Sequence, residues 1–258
     1  MNDQSLCICG SGVIYENCCG QYHSGIKQAA TAEVLMRSRF TAFSLHNENY
    51  LLETVVRTLT PGHVFTEGTA DSNEVWLEVT LRNNDQIIGG SGQRQADGTV
   101  DPWSHFINVY MLDREGNRID RRNAEDVFTP LYNNQIPPGA ADTIHFAFHV
   151  PGDLQGEISI EVKLNYRKFD TTYMRHIQAE EFERNDLPIT VIASDKVRLP
   201  ISGDLHQSAE MDVTIPAWQR WNDYGIGLLR KGGSGELRQA EQAFNRVEEL
   251  GYADGPVN

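Results

Sequence analysis

The chain has 258 residues with 22 Lys and Arg against 36 Asp and Glu, a formal net charge of −14, and its 4 cysteines, Cys7, Cys9, Cys18 and Cys19, all fall within the first nineteen positions. That charge argues against general nucleic-acid binding, which depends on neutralising phosphates with Lys and Arg. The crowding of the cysteines argues against a disulfide-stapled secreted domain, no C-x-x-C-H string is present for covalent haem, and no run approaches the ~20 apolar residues of a membrane helix.

Residues 1–28 are Cys- and Gly-rich with little apolar periodicity. Cys7-Ile8-Cys9-Gly10-Ser11-Gly12 is followed by Cys18-Cys19-Gly20, a C-x-C-x8-C-C spacing. Four thiolates satisfy a tetrahedral zinc ion, and the intervening glycines permit the turn that returns the chain to it. A site closed by four sulfurs leaves no coordination position open, so the expected role is structural. His23 follows closely and offers a substitute for one of the adjacent thiolates. The N-terminus, Met-Asn-Asp-Gln-Ser, lacks the basic-then-apolar order of a secretion signal, so the chain reads as cytoplasmic.

Residues 29–56 read as a helical segment. Thr31 suits its N-cap, and Met36, Phe40 and Phe43 fall on one face at i, i+4 and i+7. An interruption follows at 46–49, then a further apolar stretch.

Over residues 57–215 the period changes to two. Val75, Leu77, Val79 and Leu81 alternate with Glu74, Trp76, Glu78 and Thr80. Ile144, Phe146 and Phe148 alternate with His145 and Ala147, and Ile158, Ile160, Val162 and Leu164 with Ser159, Glu161 and Lys163. Such alternation places one side of each strand in a core and the other in water. Turn residues separate the runs, as at Asn83-Asn84-Asp85 and Pro137-Pro138-Gly139, and no proline interrupts an alternating run. The expectation is an antiparallel β-sandwich.

From residue 216 to 258 the period is helical again. Trp221, Tyr224, Gly225 and Leu228, a turn at Gly232-Gly233, then Ala240, Phe244 and Val247 are spaced as one tetratricopeptide-like helical hairpin. One such hairpin cannot bury its apolar face alone, so either it packs on the sandwich or further repeats continue it. The fold class expected is mainly β with α: a zinc knuckle, a helix, a sandwich and a helical hairpin.

Two resemblances attach to these segments. The cysteine pattern resembles the SEC-C zinc knuckle. Together with Gly20-Gln21-Tyr22-His23-Ser24-Gly25, Thr31-Ala32-Glu33 and Leu35-Met36-Arg37-Ser38-Arg39-Phe40, it resembles the N-terminus of the YchJ-like family over about residues 5–52. That resemblance implies zinc at the four cysteines and an NTF2-like domain following them, a domain not legible in the sequence after residue 52. From about residue 53 to 258 the chain resembles the C-terminal part of multihaem cytochrome c proteins with tetratricopeptide repeats. The residues that carry this include Val100-Asp101-Pro102-Trp103-Ser104-His105-Phe106 and Leu164-Asn165-Tyr166-Arg167-Lys168-Phe169-Asp170. It implies an exported protein, in conflict with the cytoplasmic knuckle, and suggests His63 and His105 as weak candidates for distal haem ligands. His145 and His149 are no metal pair, because i and i+4 on a strand lie ~13 Å apart. Arg118, Arg121 and Arg122 read as a solvated, locally paired hairpin, or more sharply as a patch for an acidic partner. Asp113, Glu115, Asn117 and Asp120 read as a hairpin turn and not a calcium loop, since the glycine is misplaced.

No nucleophile elbow, P-loop, dinucleotide fingerprint or H-E-x-x-H string occurs, and no carboxylate spacing singles out an acid/base pair. The expected function is therefore non-enzymatic zinc binding with protein contact. The alternative is support of electron transfer as the non-haem end of a multihaem protein.

Overall fold

The computed structural model describes residues 6–24, 27, 41, 51–68, 72–148, 154–200 and 215–252. Most of the helix expected over 29–56 lies outside them. Within it, Thr41 is helical and fully buried. The end of that segment differs from expectation: Leu51–Arg57 is a strand, β1, paired antiparallel with β6 (Ala141–Ala147) from Leu51↔Ala147 to Arg57↔Ala141. Thr54, Val55 and Val56 are β-branched, which restricts their rotamers in a helix and suits a pleated surface. Seven residues are too few for periodicity alone to separate the two states.

The larger sheet has the order β3-β2-β7-β8 and is antiparallel throughout. It comprises β2 (Glu74–Asn83), β3 (Gln86–Ser91), β7 (Glu157–Arg167) and β8 (Ile189–Pro200). On its β3 side, β2 is completed by the segment at 105–107, where the Leu77 N–H donates to His105 O (3.0 Å) and the Ile107 N–H to Val75 O (2.9 Å). A short ribbon pairs β4 (Val109–Leu112) with β5 (Thr129–Asn133).

The β1–β6 pair covers one face of the larger sheet. Val56, Ile144 and Phe146 meet Val75, Leu77 and Leu164, with Ile107 and Ile136 filling between them. Further along, Val79, Leu81, Ile158 and Ile160 continue the core under Phe146 and Phe148. The residues expected to point inward on β2 and β7 do so.

The other face of β2 and β7 departs from the expected exposure. Trp76 is wholly buried, as is Arg167, and Glu74 and Asn165 are nearly so. The segment at 92–104 and the chain after β7 fold over this end of the sheet, and Trp76 donates its indole N–H to Gly92 O at 3.1 Å. Arg167 donates from Nε to Glu74 Oε2 at 2.9 Å and from Nη2 to Gly98 O at 2.9 Å, its second contact being with the same Glu74 oxygen. A charged residue is tolerated there because its partners are buried with it. This cover includes a helix within the stretch expected to be all strand: α2, Thr171–Gln178, follows α1 of the knuckle (Gly20–His23) in chain order. Asp170 caps it, its carboxylate accepting from the Tyr173 N–H at 2.7 Å.

The C-terminal hairpin consists of α3 (Ala217–Lys231) and α4 (Ser234–Glu249), joined at Gly232, whose φ of +68° provides the left-handed C-cap. Tyr224, Leu228, Ala240 and Ala243 form its own core. It also packs on the sandwich. Thr143 Oγ1 donates to Tyr224 O (3.0 Å), Tyr224 OH donates to Glu53 Oε1 (2.9 Å), and Lys231 pairs with Asp142 (3.0 Å). Gly227 makes the close approach possible, since a Cβ there would lie 2.6 Å from the backbone nitrogen of Thr143. Among the described residues, no helix is long and apolar enough to cross a membrane.

Candidate metal centre

The knuckle is a short hairpin followed by a helical turn. Leu6 bridges Ile14, and the Cys7 N–H donates to Val13 O at 2.7 Å. Between them the chain reverses through Gly10 and Gly12, with φ of +76° and +73°, a left-handed backbone that glycine adopts without a side-chain clash. A single 3-10 turn at Tyr15–Asn17 leads to the Cys18-Cys19 pair, and α1 begins immediately after. Two cysteines thus come from the hairpin and two from the start of the helix.

Their four sulfurs all lie within 4.8 Å of one another. Cys9 Sγ is 3.5 Å from Cys18 Sγ, which is 4.0 Å from Cys19 Sγ. Four sulfurs about 2.3 Å from a central zinc form a tetrahedron with edges of about 3.8 Å, and the two separations bracket that value. Both are far from the ~2.05 Å of a disulfide, and the four cysteines are not disulfide-bonded. A metal ion therefore fits the donor set. Among the described residues, these four are the group whose His, Cys, Asp or Glu ligand atoms converge in this way.

The cluster has an inner and an outer side. Cys7 and Cys19 are buried, 4% and 1% exposed, while Cys9 and Cys18 are half-buried. Cys7 Sγ lies 3.7 Å from Thr41 Oγ1, so a residue 34 positions along the chain closes the inner side. On the outer side Ser11 Oγ is 3.0 Å from Cys18 Sγ. Burial pushes the Cys9 thiol up, but hydrogen bonding to Ser11, Cys18 and Cys7 outweighs it and brings the group to about 6. Burial raises Cys19, and its neighbours Cys7 and Cys9 raise it further. Burial likewise raises Cys18 against the opposing effect of Ser11. Four thiols brought this close resist simultaneous ionisation unless a cation compensates them, which is what a metal ion supplies.

His23 does not join the sulfurs. It shares a 2.8 Å hydrogen bond through Nδ1 with Tyr15 OH and so buttresses the turn that carries Cys18. His105 and His63, the candidate haem ligands, stand elsewhere with partners of their own. His105 Nε2 lies 2.8 Å from Asp142 Oδ2, inside the contact between α3 and β6. His63 is exposed, with Nδ1 3.0 Å from Val64 O and 3.6 Å from Glu67. His145 lies between Glu53 and Tyr224, each at 3.5 Å, and His149 is outside the described residues.

Asp113 accepts from the backbone N–H groups of Glu115 and Asn117 and from the Asn117 side chain, which fixes a hairpin turn. Arg121 pairs locally with Asp120, but Arg118 reaches Asp170 at 2.7 Å and so ties this turn to the cap of α2. Thr41 and Tyr15 are the participants that sequence reasoning missed. The Thr41 contact spans 34 residues and carries no local signal, whereas Tyr15 stands only eight positions before His23, a local spacing that offers a signal for their pairing.

A four-thiol knuckle joined to a β-rich body defines a class, and comparison with known proteins narrows it. Residues 31–101 match the family model described as "YchJ, middle NTF2-like domain", a match that runs past residue 52, where the resemblance read from the sequence stops. A UPF0225 protein of Corynebacterium glutamicum is 58% identical over 48 residues, 19% of this chain and 38% of that one. A UPF0225 protein of Serratia proteamaculans is 36% identical over 108 residues, 40% of this chain and 64% of its own. One of Ralstonia nicotianae is 40% identical over 83 residues, 32% of this chain and 56% of its own. The chain spans 34–38% of the length of the first three such relatives. The N-terminal part of the chain is thus similar to the YchJ-like family. Among solved structures, a penta-haem cytochrome c552 from Thermochromatium tepidum aligns with a TM-score of 0.38 and 14% identity, over 76% of this chain and 54% of that one. A likeness at that level carries no argument.

Proposed function

We propose that this is a zinc-binding protein whose cysteine knuckle is structural and whose work is protein contact and not catalysis. The convergence of four sulfurs within 4.8 Å carries the reading. Zinc fits because it accepts four thiolates in a tetrahedron and is redox-inert. With four protein ligands no position remains for substrate or water, so the ion contributes folding energy and no chemistry. Cys7, Cys9, Cys18 and Cys19 hold it, while Ser11, Thr41 and the Tyr15–His23 pair position them. The contact role is supported by the apolar side chains that the knuckle leaves outside, Leu6, Ile8 and Val13.

Metal analysis of the purified chain, with thiol titration before and after denaturation, tests the reading. The expected result is one zinc per chain and four thiols that react only after the metal is stripped. Zinc-free protein with four freely titratable thiols would overturn it.

A further inference from the structure

We propose that the outer edge of the cysteine cluster is a redox release point, at which a peroxide joins Cys9 to Cys18 and ejects the metal. The inference rests on the zinc reading above and adds a mode of regulation to that site.

The four sulfurs are unequally placed. Cys7 and Cys19 face inward and are buried, with Cys7 against the buried Thr41. Cys9 and Cys18 face outward, and at 3.5 Å their sulfurs are closer than Cys18 and Cys19 at 4.0 Å. Cys9 and Cys18 are nine residues apart and come from different arms of the knuckle, so a bond between them cross-links the two arms. Cys18 and Cys19 are adjacent in sequence, where a disulfide closes a small strained ring. An oxidant arriving from solvent therefore meets first the two less buried sulfurs, which lie 3.5 Å apart.

The chemistry balances. One outer thiolate attacks a peroxide oxygen. An S–O bond forms, the O–O bond breaks and hydroxide leaves. The second outer thiolate attacks that sulfenic sulfur. An S–S bond forms, the S–O bond breaks and a second hydroxide leaves. Two sulfurs supply the two electrons that reduce one peroxide. The metal loses two of its four ligands at that point and retains only a buried pair, too few for a tetrahedral site. A dithiol reductant reverses the exchange and restores the donor set.

The test treats zinc-loaded full chain with stoichiometric hydrogen peroxide, follows released zinc with a chromogenic chelator, and maps disulfides by mass spectrometry. The expected result is one zinc released per peroxide consumed, a Cys9–Cys18 disulfide with Cys7 and Cys19 still reduced, and recovery of zinc binding after reduction. Retained zinc with four reduced cysteines, or a disulfide mapped to Cys7–Cys19 or Cys18–Cys19, would overturn the proposal. Protein that holds no zinc before peroxide is added refutes the metal reading instead, and disulfide mapping of that protein still decides whether the outer pair is the one that joins.

Discussion

The knuckle and the strand body are held together in different ways. In the knuckle the buried residues are two of the cysteines, while Leu6, Ile8 and Val13 remain exposed. In the body, Val75, Trp76, Leu77, Val79, Ile107 and Ile136 are all fully or almost fully buried. A segment of about twenty residues cannot enclose enough apolar area to offset the entropy of ordering its backbone, so it needs a cross-link or a metal. The body has no such need, since its sheets enclose a continuous apolar core and the helical hairpin, with a core of its own, packs on it.

The largest effect that separates the two follows from removing a ligand. Cys19→Ser takes away a buried sulfur and should abolish zinc binding, which in small zinc modules is worth about 10–16 kcal/mol of folding free energy at neutral pH. Backbone amide protection over residues 6–24 should be lost in hydrogen exchange, while the protection of β2 and β7 stays. Loss of protection in the strands as well would mean that the knuckle and the body share one core.

Trp76→Ala is the converse. It empties a fully buried site on the second face of the sheet, and should cost about 3–5 kcal/mol in denaturant unfolding without changing bound zinc. A fall in zinc content would break the comparison.

A smaller effect concerns the hairpin's attachment. Burial raises Asp142, but its hydrogen bond from His105 and the charge of Lys231 outweigh that and hold it below the ordinary carboxylate value of 3.8. A group depressed in the folded state contributes stability above its unfolded value and loses it as pH falls through the folded one. Stability should therefore decline in acid below about pH 4. Asp142→Asn should flatten that limb and cost about 1–3 kcal/mol at neutral pH, because it leaves Lys231 and His105 without a carboxylate. An unchanged acid limb would remove Asp142 from the account of the α3–β6 contact.

These regions also differ in how legible they were. The cysteine cluster follows from spacing alone, because four thiols with glycines between them have few other uses. The inward faces of β2, β6 and β7 follow from alternation. Three features did not follow. The strand at Leu51–Arg57 is specified by a partner some ninety residues away, β6, and a short apolar run does not reveal a partner. The burial of Trp76 and Arg167 depends on loops that fold back over the sheet, and alternation says nothing about what covers the second face. The contacts of His105 with Asp142 and of Arg118 with Asp170 join elements distant in sequence, so both side chains read as surface until the fold brings their partners to them. The hairpin of α3 and α4 was legible as helices, but its seat on β6 depends on Gly227, which the sequence shows only as a glycine inside a helix.

X-ray absorption at the zinc edge of the purified chain tests the central claim most directly. A closed four-thiolate knuckle predicts a shell of four sulfurs at about 2.3 Å with no nitrogen or oxygen neighbour. A mixed shell of three sulfurs and one nitrogen would bring His23 into the site and contradict the geometry described, and the absence of bound zinc would contradict the claim outright.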